Sequence, residues 1–563
     1  MRSLYFLLFL SIVIASCSSE SDPEVVPGEN ESMETEGKQV FRIDFKEITS
    51  SGATLKSSGN LEPAFALISI SDNSGNPVYT REKFALTKVE ENYETEEITL
   101  DAGTYSLTEF IVTDANDVVI SLAPIGDSAL SEFTETFLPL EFLVEEDETA
   151  VSTTENIEAD GFTAFDFGYG EVNLDFPEST DFFSLTVNDT QLLTAKTIAI
   201  KSVTGSRYAV DWGDGSIEDY QSANSNNPAD ETEISHTYAA EGEYTVNISG
   251  PLEVIEYLKF ASNDQQNNFQ TNLVSIQLDK LVLLKVLTLY SGQLTTLDIS
   301  ENIALEKLEL GFNQINSLDL SNNATLEQAF LRYNQLTALD VSQNINLKFL
   351  DVTGNQFSSL DVAANTLLEK LLARENQLTA LNISSNTALN TLDLSDNFLP
   401  SIDTSGNMSL VEINVGRNQL TSIDFSANTN LRRIDLYGNQ ISALDVSNNL
   451  VLRDLYIEDN LLSTIDLSNN PEMERLIIEN NAFSTLDLTN NAKIFDLQIG
   501  GNQFDGAQLD TIIAQVHEQA VLNTILDGYI DYQNNPGFNA IDPSTTTKIN
   551  DLINNYNWFF NNN

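Results

Sequence analysis

The stretch LEKLELGFNQINSLDLSNNAT, Leu305 to Thr325, says one phrase twice: L-x-L-x-x-N ending at Asn313 and again at Asn323. Counted outward from it, Asn313, Asn334, Asn355, Asn376, Asn397, Asn418, Asn439, Asn460, Asn481 and Asn502 stand 21 residues apart. Asn302, Asn323, Asn344, Asn365, Asn386, Asn407, Asn428, Asn449, Asn470 and Asn491 form a second ladder of the same period. A fixed period of this length marks a coil of like supersecondary units. Each coil then makes two strand-and-turn units, with Leu pairs pointing inward and an Asn at each corner. An inward Asn can donate to and accept from turn backbone that would otherwise be buried unpaired.

This pattern resembles the leucine-rich repeat family, L-x-x-L-x-L-x-x-N-x-L, in the bacterial variant that nests units of ten and eleven residues. The resemblance covers residues 287–504 and implies a stacked solenoid. One coil cannot bury its Leu row, but coils stacked at a strand spacing of ~4.8 Å share a continuous core. Both long faces are expected to be parallel β-sheet.

The two copies differ in how much they vary. In the second copy the outward residue is Asp298, Asp319, Asp340, Asp361, Asn382, Asp403, Asp424, Asp445, Asp466 and Asp487, followed by Ser or Thr except at Ala363. Uniformity of this kind suggests a structural ladder. Carboxylates one strand apart repel one another, so something must offset them. Ser and backbone donors would serve. Calcium is the alternative, with Asp319, Asp340, Asp361, Asp424, Asp445 and Asp466 as candidate ligands, although a simple Asp row offers few oxygens per ion. No other cofactor is expected.

In the first copy the corresponding position changes from coil to coil, and Arg and aromatic residues gather there and beside it. Tyr290, Phe312, Phe330, Arg332, Tyr333, Arg374, Arg417, Tyr437 and Tyr456 are the candidate partner-binding residues. These residue types are enriched at the energetic centres of protein interfaces. The variable face is therefore the expected recognition surface for an extracellular protein, on a host or neighbouring cell. The alternative is a polysaccharide stacked on the rings.

The flanks read as follows. Residues 505–563 carry LDTIIAQVHEQA and a second helical stretch, and form a C-terminal cap over the last Leu row. Residues 251–286, with IEYLKFASN, form an N-terminal cap or degenerate repeat. Residues 181–250 contain VDWGDGS and ISHTYAAEGEYTVNISG, which resemble the two signature segments of the polycystic-kidney-disease (PKD) domain. The resemblance implies an immunoglobulin-like sandwich in which Asp211, Asp214 and His236 serve a glycine turn rather than a metal. Residues 40–180 alternate in short strands and read as a β-sandwich, with DAGTYSLTEF resembling prealbumin-like modules of surface lipoproteins. The fold class is thus mainly β: two sandwich modules, a solenoid and a small helical cap.

At the start, Arg2, an apolar run from Leu4 to Ile14 and Ile14-Ala15-Ser16-Cys17 have the form of a secretion signal, residues 1–16. The tetrapeptide resembles a bacterial lipobox, which implies cleavage before Cys17 and its acylation. Cys17 is the one cysteine of the chain, so no internal disulfide can form. Residues 17–39 are acidic and poor in apolar side chains, as in a disordered tether. CSSESD is similar to export signals of Bacteroidetes-type surface lipoproteins, which implies an outer-membrane protein displayed at the cell surface. Its contact with membrane would be the lipid alone.

Composition narrows the function further. With 85 Asp and Glu against 26 Lys and Arg among 563 residues, the net charge of -59 repels nucleic acid phosphates. The two histidines, His236 and His517, lie in segments without a matching nucleophile or metal ligands. No Gly-rich phosphate loop occurs. The chain reads as a surface-displayed binding or adhesion lipoprotein and not as an enzyme; a calcium-held structural component of the surface is the remaining alternative.

Overall fold

The computed structural model describes residues 35–49, 52–55, 62–177, 181–189, 195–203, 205–225, 232–262 and 269–561. The signal segment, Cys17 and the acidic stretch up to residue 34 lie outside the described residues. Among those described, no helix is long and apolar enough to cross a membrane.

The first module alternates inward and outward residues as the sequence suggests: Phe41, Ile43 and Phe45 are buried on one face of the strand Glu36–Thr49. Its sheet does not split into the two layers of the expected sandwich. It closes on itself, running Glu36–Thr49, Thr149–Glu158, Val119–Leu122, Gly103–Thr113, Phe65–Asp72, Pro77–Val89, Asn92–Thr95 and back to the first strand. Closure depends on a parallel pairing from Lys38↔Thr149 to Lys46↔Ile157. Both arrangements bury the same alternating residues, but joining first strand to last leaves no bare edge there. The first strand also claims residues 36–39, which composition placed in the tether: they pair with Ile98–Asp101, and Gln39 is fully buried.

The second module does not end at a sheet boundary. One of its layers has five strands and includes Leu273–Ile276, which follows the module in sequence. The other layer, Lys196–Ser202 with Ile234–His236 and Ile255–Ser262, opens a 17-stranded sheet that continues into the repeats. Ile255–Ser262 pairs in parallel with Val286–Leu289, from Tyr257↔Val286 to Phe260↔Leu289. One core therefore runs from Phe183 to Phe560. The VDWGDGS segment forms a turn in which Gly213 and Gly215 take φ of 80° and 94°. Asp211 and Asp214 accept from the amides of Gly213 and Ser216, and His236 stacks on the buried Trp212.

Each coil of the solenoid contributes one three-residue strand, from Lys307–Glu309 to Asp496–Gln498, at the register Leu308↔Ala329↔Leu350. The central residue of each is buried, worth about 1.5–3 kcal/mol for a Leu removed from water. The second copy forms no strand, contrary to the expectation of two sheeted faces. The backbone of that copy turns back on its own coil: Asn323 N donates to Leu320 O and Leu326 N to Asn323 O, and the pair recurs at Asn344 and Leu347, while Asp319 Oδ1 accepts from Ser321 N at 2.9 Å, as Asp340, Asp361 and Asp424 do from their own second neighbours. Amides and carbonyls bonded within one coil are not available for a ladder to the next. That face is tied instead by asparagines, such as Asn323 Nδ2 to Ile299 O and Asn302 O.

Past Asn502 the sheet gains two further strands, Tyr529–Asp531 and Phe559–Asn561, each following a helix, α1 (Gly506–Asn523) and α2 (Pro543–Tyr556). Asp505 and Asp542 cap these helices by accepting from Gln508 N and Ser544 N. His517 Nε2 meets Asp551 Oδ2 at 2.7 Å and ties the two together. Asn535 repeats the work of the first ladder, donating to Ile499 O and accepting from Phe504 N, although α1 has broken the period.

Candidate recognition face

The outward residues of the short strands, with the two that follow each strand's last inward residue, make one long variable face. Its second trailing position is left-handed in every coil. Gly354, Gly438 and Gly501 occupy it with φ of 65°, 66° and 65°. Phe312, Tyr333 and Arg417 hold the same position at 60°, 52° and 49°. A bulky side chain there costs about 1–2 kcal/mol that glycine avoids, so these three are kept at an energetic cost.

Phe312 and Tyr333 belong to one cluster. The Tyr290 and Phe312 rings lie 5.1 Å apart, and those of Phe312 and Tyr333 4.7 Å. The Arg332 guanidinium covers Tyr290 and Phe312 at 5.4 and 5.6 Å, and its Nη2 donates to Tyr290 Oη at 3.0 Å. That bond spans two coils, and the intervening Gly311 leaves it room. A Cβ on Gly311 would stand 2.8 Å from Tyr290 Cε2 and 3.2 Å from Arg332 Cγ. Gly354 gives the Tyr333 ring a similar slot. Tyr333 Oη reaches Glu375 Oε1 and accepts from Arg374 Nη2, both at 3.4 Å.

Beside this cluster a groove of about 650 Å³ opens, lined by Phe269, Gln270, Tyr290, Phe312, Gln314 and Tyr333 among others. Phe269 is 46% and Phe312 41% exposed, enough for a ligand to bury much of either ring.

The remaining sequence candidates do not join that cluster. Phe330 stacks on Phe349 at 4.6 Å, with Lys307 above it. Arg417 lies over Tyr437 and reaches Asp396 at 3.4 Å. Tyr456 carries the guanidinium of Arg433, whose Nε donates to Asp435 Oδ2 at 2.8 Å. The aromatic and arginine positions thus divide into separate groups along the face. Phe349 and Phe269 escaped the sequence reading: the first precedes the variable position, and the second falls outside the period.

Carboxylates dominate the later coils. Burial raises Asp393 and Asp435 above the ordinary carboxylate range despite hydrogen bonds from Ser395 and Arg433. Burial, helped by Asp435, Asp459 and Glu479, pushes Glu458 up to about 7. The Asp row of the second copy behaves oppositely. The Ser321 N–H and hydroxyl hold Asp319 below its ordinary value, and Ser342 and Ser426 do the same for Asp340 and Asp424. Among the described residues, no group of three or more His, Cys, Asp or Glu is placed to hold a metal ion.

No family model and no curated protein matches the chain. Solved structures similar to it include an LRR protein of Leptospira interrogans, 23% identical over 53% of this chain and 85% of that one, TM-score 0.43. Another is an internalin of Listeria monocytogenes, 22% identical over 54% and 87%, TM-score 0.46. A third is the leucine-rich repeat domain of APL1B, 21% identical over 42% and 74%, TM-score 0.37. Likeness at this level does not extend to ligands.

Proposed function

We propose that this chain is a binding scaffold that recognises a protein partner through the variable face of its solenoid. The observation that carries this reading is the set Tyr290, Phe312, Arg332 and Tyr333, two of them held in left-handed backbone beside an open groove. Residues kept in strained conformations on an exposed face point to a use for that face. Aromatic and Arg side chains are also the types that carry most binding energy at protein interfaces.

The setting we propose is a lipid-anchored protein of the outer membrane, displayed at the cell surface and serving adhesion. Support comes from Ile14-Ala15-Ser16-Cys17 and the acidic segment behind it. The closed first module and the PKD-like second module would hold the face away from the membrane. Acyl chains on Cys17 would supply the anchor.

Binding to cells and to protein and glycan arrays tests the reading, comparing the wild-type chain with a variant changed to Ala at Phe312, Arg332 and Tyr333. Loss of a protein partner with an unchanged melting curve is the expected result. A partner that survives all three changes removes the variable face from consideration, and retention on glycans alone replaces the partner class. Cys17→Ser should move the chain from membrane to soluble fractions.

A further inference from the structure

Arg332 differs from the other guanidiniums of the variable face. Arg374 pairs with Glu375, Arg417 with Asp396, Arg433 with Asp435 and Arg475 with Asp454. Among the described residues Arg332 has no carboxylate partner; its polar contact is the bond to Tyr290 Oη. A guanidinium has five N–H donors, and this one uses Nη2 alone on protein, while two rings fix its plane.

The rings reinforce it. At 5.1 and 4.7 Å, the rings of Tyr290, Phe312 and Tyr333 form one cluster, and all three line the groove. Arg332 is not part of the groove wall; it lies over Tyr290 and Phe312 at 5.4 and 5.6 Å, so a fixed guanidinium stands directly beside the groove. A neutral sugar would bring no charge to Arg332, and a basic peptide would meet it head on. A bare inorganic anion would leave the exposed Phe269 and Phe312 uncovered.

We infer that the groove seats an acidic peptide segment: an Asp or Glu carboxylate on Arg332, with a neighbouring aliphatic or aromatic side chain against Phe269 and Phe312. This deepens the proposal that the variable face binds protein, and rests on it. The long-range field of the chain disfavours any anion, so the preference comes from contact within the groove and fixes where a carboxylate must stand.

The test selects a random-peptide display library on the full chain, then titrates a synthetic peptide of the enriched class. Enriched sequences should pair Asp or Glu with an apolar neighbour. Changing that acid to its amide should weaken binding to wild type about ten- to a hundredfold, the scale of a charge-assisted bond. Arg332→Gln should bind acid and amide alike, and Arg332→Lys should keep part of the preference, with melting curves reporting that both fold. Wild type binding acid and amide equally, or Arg332→Gln keeping the difference, overturns the inference. If peptides also bind Phe312→Ala and Tyr333→Ala undiminished, the variable face itself is wrong. If those variants lose binding while the acid is indifferent, the anionic preference alone falls. A library that enriches nothing over a mock selection counts against both.

Discussion

The Thr404 hydroxyl donates to Asn428 Oδ1 at 2.8 Å, while the Thr404 carbonyl accepts from Nδ2 of the same residue at 3.0 Å. Elsewhere in this ladder, Asn344, Asn365, Asn386 and Asn470 among them, the buried Oδ1 has no donor among the described residues. The residue 24 positions earlier is apolar in those coils, as at Val362 before Asn386. Val362→Thr keeps the shape and supplies a hydroxyl. It should cost less than about 1 kcal/mol, or stabilise. Val352→Thr is the comparison, since Asn376 Oδ1 already accepts from Phe357 N; an unpaired hydroxyl there should cost about 1–3 kcal/mol. Urea midpoints of the two variants decide.

Glycines on the variable face are slots, and two substitutions separate slot from backbone. Gly311 does not have positive φ, so Gly311→Ala should lower stability by under about 1 kcal/mol while displacing Tyr290 and Arg332, and ligand binding should fall far more. Gly354 is left-handed and lies against the Tyr333 ring. Gly354→Ala should cost about 2 kcal/mol or more, from φ strain and a displaced ring together. Thermal unfolding and near-ultraviolet dichroism of the tyrosines read both.

The Asp row should tolerate loss of charge but not loss of its acceptor. Asn382 already fills the position in one coil, its Oδ1 accepting from Ser384 N at 3.1 Å. Asp340→Asn should therefore melt within about 1 °C of wild type at neutral pH, and Asp340→Ala should melt lower. A carboxylate held below its unfolded value stabilises above that value, 3.8 for Asp340, and loses the contribution as pH falls through the folded value. Converting Asp319, Asp340 and Asp424 together to Asn should flatten the fall in melting temperature below about pH 4.

Glu458 carries the opposite sign. Its folded value of about 7 exceeds the ordinary 4.5, so the folded chain holds this proton more tightly than the unfolded one. Stability then declines as pH rises from the lower value to the higher. Glu458→Gln should raise the melting temperature at pH 8 and change it little at pH 4, and equal effects at both would refute the assignment.

The sequence made the coils legible because Asn and Leu recur at fixed spacing, and period is what a linear reading detects best. The same recurrence misled at the second copy. LDLS alternates like a strand, but the amides of Asn323 and Leu326 bond back within their own coil, and such turning is invisible to a pattern of apolar residues. Closure of the first module depends on Lys38 meeting Thr149, a pairing more than a hundred residues apart that no local pattern encodes. At the site, the candidates were found by residue type alone. What makes room for the bond from Arg332 to Tyr290 is the glycine between them, and Gly311 looked like any other variable position.

The 17-stranded sheet begins inside the second module, and the parallel pair that joins it to the repeats, Tyr257↔Val286, lies next to the coils that carry the groove. A pull applied to the second module and resisted at Phe312 therefore travels through hydrogen-bonded strands rather than a slack connector. It loads their ladders along the hydrogen bonds, and the coils beyond Glu375 lie outside its path. Those distal coils can unzip one at a time from the far end without releasing what the groove holds.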